Sequence, residues 1–282
     1  MVSRLTPLLL IFVVVACGGR AGSNPKPASA ASASAPASGS HAPSVVPPEP
    51  PPGWIPNGPR ERAVVWAVGD GAGGPGAASV ARLVAQGKPD LFLYLGDVYP
   101  IGTRKAFRTA YAQTFGRFAK FTAPTPGNHD WRVHAQGYDP YWTRIDGRSP
   151  PQYYSLTAGG WQLLELNSET SNRGDQLVWL SGQLRARGNC RLAFWHRPRF
   201  SAGRHGDARD MDMYWRALEG RARLVVSGHD HDMQRFRPRG GLIQLVSGAG
   251  GNGHYRVKRG RAGLRFADDR HYGALRIELT PG

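Results

Sequence analysis

Carboxylate, amide and imidazole residues recur in this chain at one kind of place, the end of an apolar run. Ala63–Val68 (AVVWAV) runs into Gly69-Asp70, and Leu91–Leu95 (LFLYL) into Gly96-Asp97. Residues 121–126 lead to Gly127-Asn128-His129-Asp130, Arg191–Trp195 to His196, and Arg223–Ser227 to Gly228-His229-Asp230-His231. Taken singly, a strand-end Asp reads as a turn or helix cap and a lone His as a surface residue. Five such endings together read as a site. Carboxylate oxygens and neutral imidazole nitrogens are ligands of transition-metal ions. A carboxylate shared between two ions is the usual device of two-metal hydrolases. The glycines before Asp70, Asp97, Asn128 and His229 are expected to give the backbone freedom to turn sharply.

Such residues meet only if the strands that carry them lie side by side, because ligands of open α/β sheets bind beyond the carboxyl ends of the strands. The pattern between the runs supplies the rest of an α/β domain. Helices are expected over 77–86, over 105–118 and over 176–187, where Leu177, Leu180 and Leu184 share a face. Tyr153–Leu156 and Trp161–Leu166, separated by Thr157-Ala158-Gly159-Gly160, read as a hairpin. Further strands are expected at 190–195, 222–226, 242–246 and 274–279. Trp161, Trp179, Trp195 and Trp215 fall on apolar faces and read as core. Cys190 reads as an unpaired core thiol, and His134, His254 and His271 as exposed loop residues.

GD, GD-x-Y, GNHD, a strand-end His and GHDH occur here in the order of the calcineurin-like metallophosphoesterases, and the chain resembles the purple acid phosphatases among them. The resemblance covers about residues 63–280. It implies two facing mixed β-sheets flanked by helices, a four-layer sandwich, with a binuclear centre (Fe, Zn or Mn) at its top. By position, Asp70 and His231 resemble ligands of one ion and Asn128, His196 and His229 ligands of the other, with Asp97 bridging. His129 resembles the histidine that contacts phosphate or protonates the leaving group, and Asp130 is expected to fix its ring. His205, nine residues after His196, matches a substrate-facing histidine of small, animal-type members, and Arg204 is a candidate phosphate contact. The wider superfamily begins Asp-x-His, whereas Gly71-Ala72 follows Asp70. Purple phosphatases replace that histidine with a tyrosinate three residues after the bridging Asp. Here Tyr99 is two after Asp97 and Pro100 occupies the third position, so ligation by Tyr99 stays open. The implied activity is hydrolysis of phosphate esters, monoesters ahead of diesters, by metal-activated hydroxide.

Two other readings remain at this level. Gly71–Gly76 fits G-x-G-x-x-G between a strand and a helix, a dinucleotide fingerprint on paper, but Asp70 would repel a pyrophosphate there. The second is a non-catalytic polyanion-binding protein. The formal charge is +16, of which residues 1–59 carry +2, leaving +14 for residues 60–282. Such a surface attracts phosphate esters, nucleic acid or anionic headgroups. Only five of the 36 basic residues are Lys, so an arginine-rich composition accounts for the charge equally well.

The N-terminus reads as an address. Met1–Arg4 is a short basic start, Leu8–Ala16 a nine-residue apolar core, and Val14-Val15-Ala16-Cys17 resembles a bacterial lipobox. Residues 1–17 are therefore expected to be a lipoprotein signal with Cys17 acylated. Residues 18–59 would be a linker, since 25–59 hold 11 of the 23 prolines, and residues 60–282 the catalytic domain. The expectation is a monomer exported and lipid-anchored in the bacterial envelope, at the outer membrane or cell surface.

Overall fold

A strand buried on both faces is apolar along its whole length, and the runs that end in Asp70, Asp97 and His196 are of that kind. A computed structural model describes residues 8–16, 61–186, 188 and 190–281. In chain order it comprises β1 (Leu8–Ala16), β2 (Ala63–Val68), α1 (Ala77–Gln86), β3 (Leu91–Tyr94), α2 (Arg104–Ala106) and α3 (Ala112–Thr114). There follow β4 (Thr122–Pro124), α4 (Asn128–Trp131), α5 (Tyr138–Asp146), β5 (Tyr153–Ala158), β6 (Trp161–Leu166), α6 (Arg173–Gln183) and β7 (Arg191–Phe194). The chain closes with α7 (Asp212–Leu218), β8 (Leu224–Ser227), β9 (Met233–Phe236), β10 (Ile243–Ser247), β11 (Leu264–Asp268) and β12 (Tyr272–Thr280).

The strands form two mixed sheets, one in the order β1-β12-β2-β3-β4 and one in the order β11-β9-β10-β8-β7-β6-β5. Within them β2, β3 and β4 run parallel, as do β6, β7, β8 and β10, so the carboxyl ends of each group share an edge. Side chains alternate across each strand. From β2 and β3, Val65, Ala67, Leu91 and Leu93 face the second sheet and pack with Leu163, Leu192, Phe194 and Val226. Trp66, Val68, Phe92 and Tyr94 face outward, against α1 and the aromatic residues Phe107, Tyr111, Phe115 and Phe118. Beyond the second sheet, Leu164, Ala193 and Val225 meet Trp179, Leu180, Trp215 and Leu218 of α6 and α7. The two facing sheets with helices outside them are the architecture expected.

Several local expectations change. The single helix over 105–118 is instead α2, a π turn over Phe107–Tyr111, α3 and a 3-10 stretch over Phe115–Phe121. Burial of Phe107, Tyr111, Phe115 and Phe118, all below 4 % exposed, sets that path, and the aromatic core outweighs helical regularity. The amphipathic helix starts earlier and buries Gln176, Trp179 and Leu180, with Leu177 half-buried. β9 and β11 were not expected. Cys190 lies at the rim just before β7, half-buried, and is disulfide-bonded, which corrects the expected free core thiol. The chain's other cysteine, Cys17, lies outside the described residues, as does the 18–59 linker. Leu8–Ala16, expected as a leader core, pairs in parallel with β12 from Leu8↔Tyr272 to Ala16↔Thr280. An apolar run ending Phe-Val-Val-Val has high strand propensity and suits an open sheet edge.

The outward aromatic layer holds up the strands that end at the site, so Phe92→Ala should be costly. Its ring lies 5.0 Å from Phe118 and 5.8 Å from Phe115, at 0 % exposure. A loss of about 3–5 kcal/mol is expected, read by urea denaturation; a loss below about 1 kcal/mol would contradict this packing.

Candidate metal centre at the strand ends

Asp70, Asp97 and His229 sit at the ends of β2, β3 and β8 with positive φ of 59°, 65° and 71°. Left-handed backbone is strained for these residues and persists only where surrounding contacts hold it. It turns each side chain back toward the same spot. The expectation that the preceding glycines supply the turn holds only at Gly96, φ 93°. Gly127 and Gly228 are needed for space instead. A Cβ on Gly127 would collide with Asp97 Oδ1, and one on Gly228 would come within 2.6 Å of Asp70 Oδ2.

The structure brings together all seven residues expected at the metal positions. On one side, Tyr99 Oη lies 2.7 Å from His231 Nε2 and 3.2 Å from Asp70 Oδ1. On the other, His196 Nε2 lies 3.1 Å from Asn128 Oδ1 and 3.1 Å from His229 Nδ1. Asp97 stands between, its Oδ2 3.1 Å from Tyr99 Oη and 3.5 Å from His196 Nε2. Donor atoms of Asp97, His196 and His229 all fall within 4.8 Å of one another. Two imidazoles have their tautomers set by backbone carbonyls. His196 Nδ1 donates to Leu95 O at 2.7 Å and His231 Nδ1 to Gly253 O at 2.6 Å, so each Nε2 faces the site as an acceptor when the ring is neutral.

Burial drives the electrostatics. It pushes the Asp70 carboxyl well above its usual range. It also depresses His231 to about 4, and His229, with His196 and His205 beside it, to about 2. Burial would depress His196 as well, yet Asp97 and Asp70 raise it to about 10. Asp97 stays well below the usual carboxylate range: burial opposes this, but His196 and His129 overcome it. Two neutral imidazoles, an amide oxygen, a phenol and buried carboxylates converging on one point fit the donor chemistry of first-row transition ions.

Asp130 does not do what its sequence position suggested. Its carboxylate accepts from Asp97 N at 2.7 Å, Val98 N at 2.9 Å and Gly127 N at 3.0 Å, clamping the β3 turn to the β4 turn. His129 is fixed instead by Pro100 O, 2.6 Å from its Nδ1, and its half-exposed Nε2 lies 3.9 Å from Asp97 Oδ2. The carboxylate that orients a histidine is Asp230. Its Oδ1 accepts from His205 N at 2.9 Å and lies 3.3 Å from His205 Nδ1, while Oδ2 accepts from Ser201 Oγ at 2.5 Å. The His205 ring stacks on His229 at 4.2 Å. Tyr255, unremarkable in sequence, stacks on His231 at 4.0 Å, and Arg204 lies over Tyr255 at 5.3 Å. His134, His254 and His271 are half-buried rather than exposed, engaged by Asp139, Tyr272 and Asp268. The glycines of 71–76 serve close loop packing. A Cβ on Gly71 would meet Gly250 O at 2.6 Å, and one on Gly74 would run into the backbone of Gly251.

The model of the calcineurin-like phosphoesterases matches residues 64–233, most of the chain. The chain belongs to that family. Its activity is metal-dependent phosphoester hydrolysis, and the donor atoms of Asp97, His196 and His229 lie close enough together to hold a metal ion. Among solved structures the chain is similar to GAP50, the anchor in the inner membrane complex of Plasmodium (TM-score 0.60, 14 % identity, 78 % of this chain and 82 % of that one). It is also similar to purple acid phosphatase PPD1 from yellow lupin seeds (0.56, 13 %, 80 % of this chain and 55 % of that one). A third is PhoD (0.56, 13 %, 80 % and 65 %). At these identities the likeness is one of fold, and the chain spans little more than half of the lupin protein. No curated protein matches the sequence.

Removing the Asp130 clamp should be felt in the fold. Asp130→Ala leaves three buried N–H groups without an acceptor, each worth about 1–3 kcal/mol. Chemical denaturation is expected to show a loss of at least about 2 kcal/mol. A loss under about 0.5 kcal/mol would mean that other groups hold the two turns.

Proposed function

We propose that this phosphoesterase is a binuclear phosphomonoesterase of the acid-phosphatase type, with Asp70, Tyr99 and His231 holding one ion, Asn128, His196 and His229 the other, and Asp97 both. The observation that carries this reading is the Tyr99 hydroxyl, which reaches Asp70, Asp97 and His231 although it stands one residue earlier than the purple phosphatase pattern. Fe, Zn and Mn all suit such donors. Bound ions would supply Lewis-acid stabilisation of the phosphoryl oxygens and lower the pKa of the attacking water.

The chain's own groups do the rest. Nδ1 of His129 is committed to Pro100 O, so Nε2 is free to hold a proton for the leaving oxygen at the half-exposed side of the site. His205, oriented by Asp230, stacks on His229, and Arg204 stands at the same rim beyond Tyr255. Both are placed to orient an anionic ester through charge-assisted hydrogen bonds. Asp130 acts at one remove, by fixing the turns that aim Asp97 and Asn128.

The test is hydrolysis of matched chromogenic phosphate mono- and diesters by the full chain, loaded in turn with Fe, Zn and Mn, from acid to neutral pH. The monoester is expected to lead, with Asp97→Asn lowering turnover at least about 100-fold and Tyr99→Phe about 10–100-fold, since even supporting residues of metal sites reach that range. Diester preference would make the chain a phosphodiesterase. Turnover equal in wild type and Asp97→Asn would leave only the polyanion-binding reading.

We also propose export and lipid anchoring through Cys17, supported by the basic start, the apolar run and the lipobox-like Val14–Cys17. Fractionation of expressing cells is expected to find the protein with the membranes, and Cys17→Ala to release it. Membrane association unchanged in Cys17→Ala would count against acylation.

A further inference from the structure

Among the described residues, three arginines around one pocket have no carboxylate to answer them. Arg104 and Arg108 project from the helical stretch that begins with α2, four residues apart on one face, and Arg144 projects from α5. Together with Phe107, Tyr141 and Pro140 they line a pocket of about 350 Å³. None of its lining residues is acidic, and none of the described residues forms an ion pair with Arg104, Arg108 or Arg144. Arg144 instead lies 5.6 Å from the Tyr141 ring centroid. Asp139, the acidic residue next to Pro140, is taken by His134 Nδ1 at 2.7 Å. Arg173, Arg197, Arg199, Arg259 and Arg261, by contrast, each pair with a carboxylate.

Like charges four apart on a helix destabilise it, so this arrangement costs stability and returns none within the fold. The floor is the reverse of the rim. Phe107 and Tyr141 are nearly buried and pack with their centroids 5.1 Å apart. Phe107 opens the π turn of this stretch, a distortion that often marks functional positions. We propose that this pocket binds a small organic phosphate, the guanidinium groups taking the phosphate and the aromatic floor an apolar or ring-bearing part. Guanidinium forks match phosphate oxygens, and the volume falls within the range of small-molecule sites. The pocket holds one such group, which favours a small molecule over a nucleic-acid strand. It shares no residue with the metal centre but borders it through the backbone. Gly137 on its wall packs against Gly102, whose N–H donates to His129 O at 3.0 Å.

The experiment uses the full chain stripped of metal by chelation, so that its outcome is separate from that of the hydrolysis assay. AMP, adenosine and inorganic phosphate are titrated calorimetrically at two salt concentrations. AMP is expected to bind, more weakly at high salt, and at least about tenfold more tightly than phosphate or adenosine alone. R104A/R108A/R144A should weaken AMP at least tenfold, and R108E, a single exposed change, should do so with a thermal unfolding midpoint no lower than wild type. AMP affinity equal in wild type and R108E would overturn the proposal, as would phosphate binding as tightly as AMP. If a short single-stranded oligonucleotide binds through the same arginines more tightly than AMP, the pocket belongs to a strand-binding surface and the small-molecule assignment falls.

Discussion

Charged and polar groups withdrawn from water must be met by other groups or they destabilise the fold, and this chain buries its carboxylates where its two sheets meet. Asp70, Asp97 and Asp130 are all at most 1 % exposed. Each accepts a backbone N–H from a neighbouring turn: Asp70 from His229, Asp97 from His129, Asp130 from Asp97, Val98 and Gly127. Two of the links cross between sheets, Asp70 Oδ2 to His229 N at 2.7 Å and His196 Nδ1 to Leu95 O at 2.7 Å. The polar groups that converge on the site therefore also join the sheets at this edge. The site's geometry and the relation of the two sheets are set by the same contacts, and neither shifts without the other.

That coupling explains why so much of the site was legible in the chain. A parallel strand covered on both faces is a continuous apolar run, and its end is marked by the first polar residue, so Asp70, Asp97 and His196 could be placed at strand ends directly. What the runs did not carry was the partner of each side chain. Asp130 follows His129 in sequence, yet in the four-residue α4 its carboxylate turns back to three backbone amides. Asp230, in the same position relative to His229, reaches across to His205 instead. Tyr255 and Pro100 O came to the site through tertiary packing, with no local pattern to announce them. Two neighbouring strands at one end of the second sheet were missed for a related reason. β9 (MQRF) buries a glutamine and exposes an arginine, and β11 (LRFAD) is largely solvated, so strands of four or five residues leave a weak alternation.

The broken helical stretch over 104–121 shows the converse, where a good local signal yielded to packing. Its apolar residues fit a regular helix, but Phe107, Tyr111, Phe115 and Phe118 all have to reach the outer face of β3. Tyr94 packs edge-on to Tyr111 at 4.7 Å and Phe92 meets Phe118 at 5.0 Å. Meeting a twisted sheet along so short a stretch takes first a widened and then a tightened helical turn. The aromatic layer thereby sets the outer support of the strand that delivers Asp97.

Tyr99 illustrates why spacing along the chain is a poor ruler beside a strained turn. In an extended chain the residue two after Asp97 would point to the same side as Asp97 and continue away from it. Here Asp97 adopts φ 65°, which folds the chain back at once. Tyr99 N then bonds Ala72 O at 2.9 Å, and Val98 pairs with Ala72 in a single bridge. This tether lays the residues after Asp97 alongside those after Asp70, so the phenol returns over both carboxylates. Burial and the charges of Asp70 and Asp97 push its proton affinity far up, so the hydroxyl stays protonated unless a strongly acidic cation competes for the oxygen. The turn thus fixes where the phenol sits, and the ion it meets fixes what it does there.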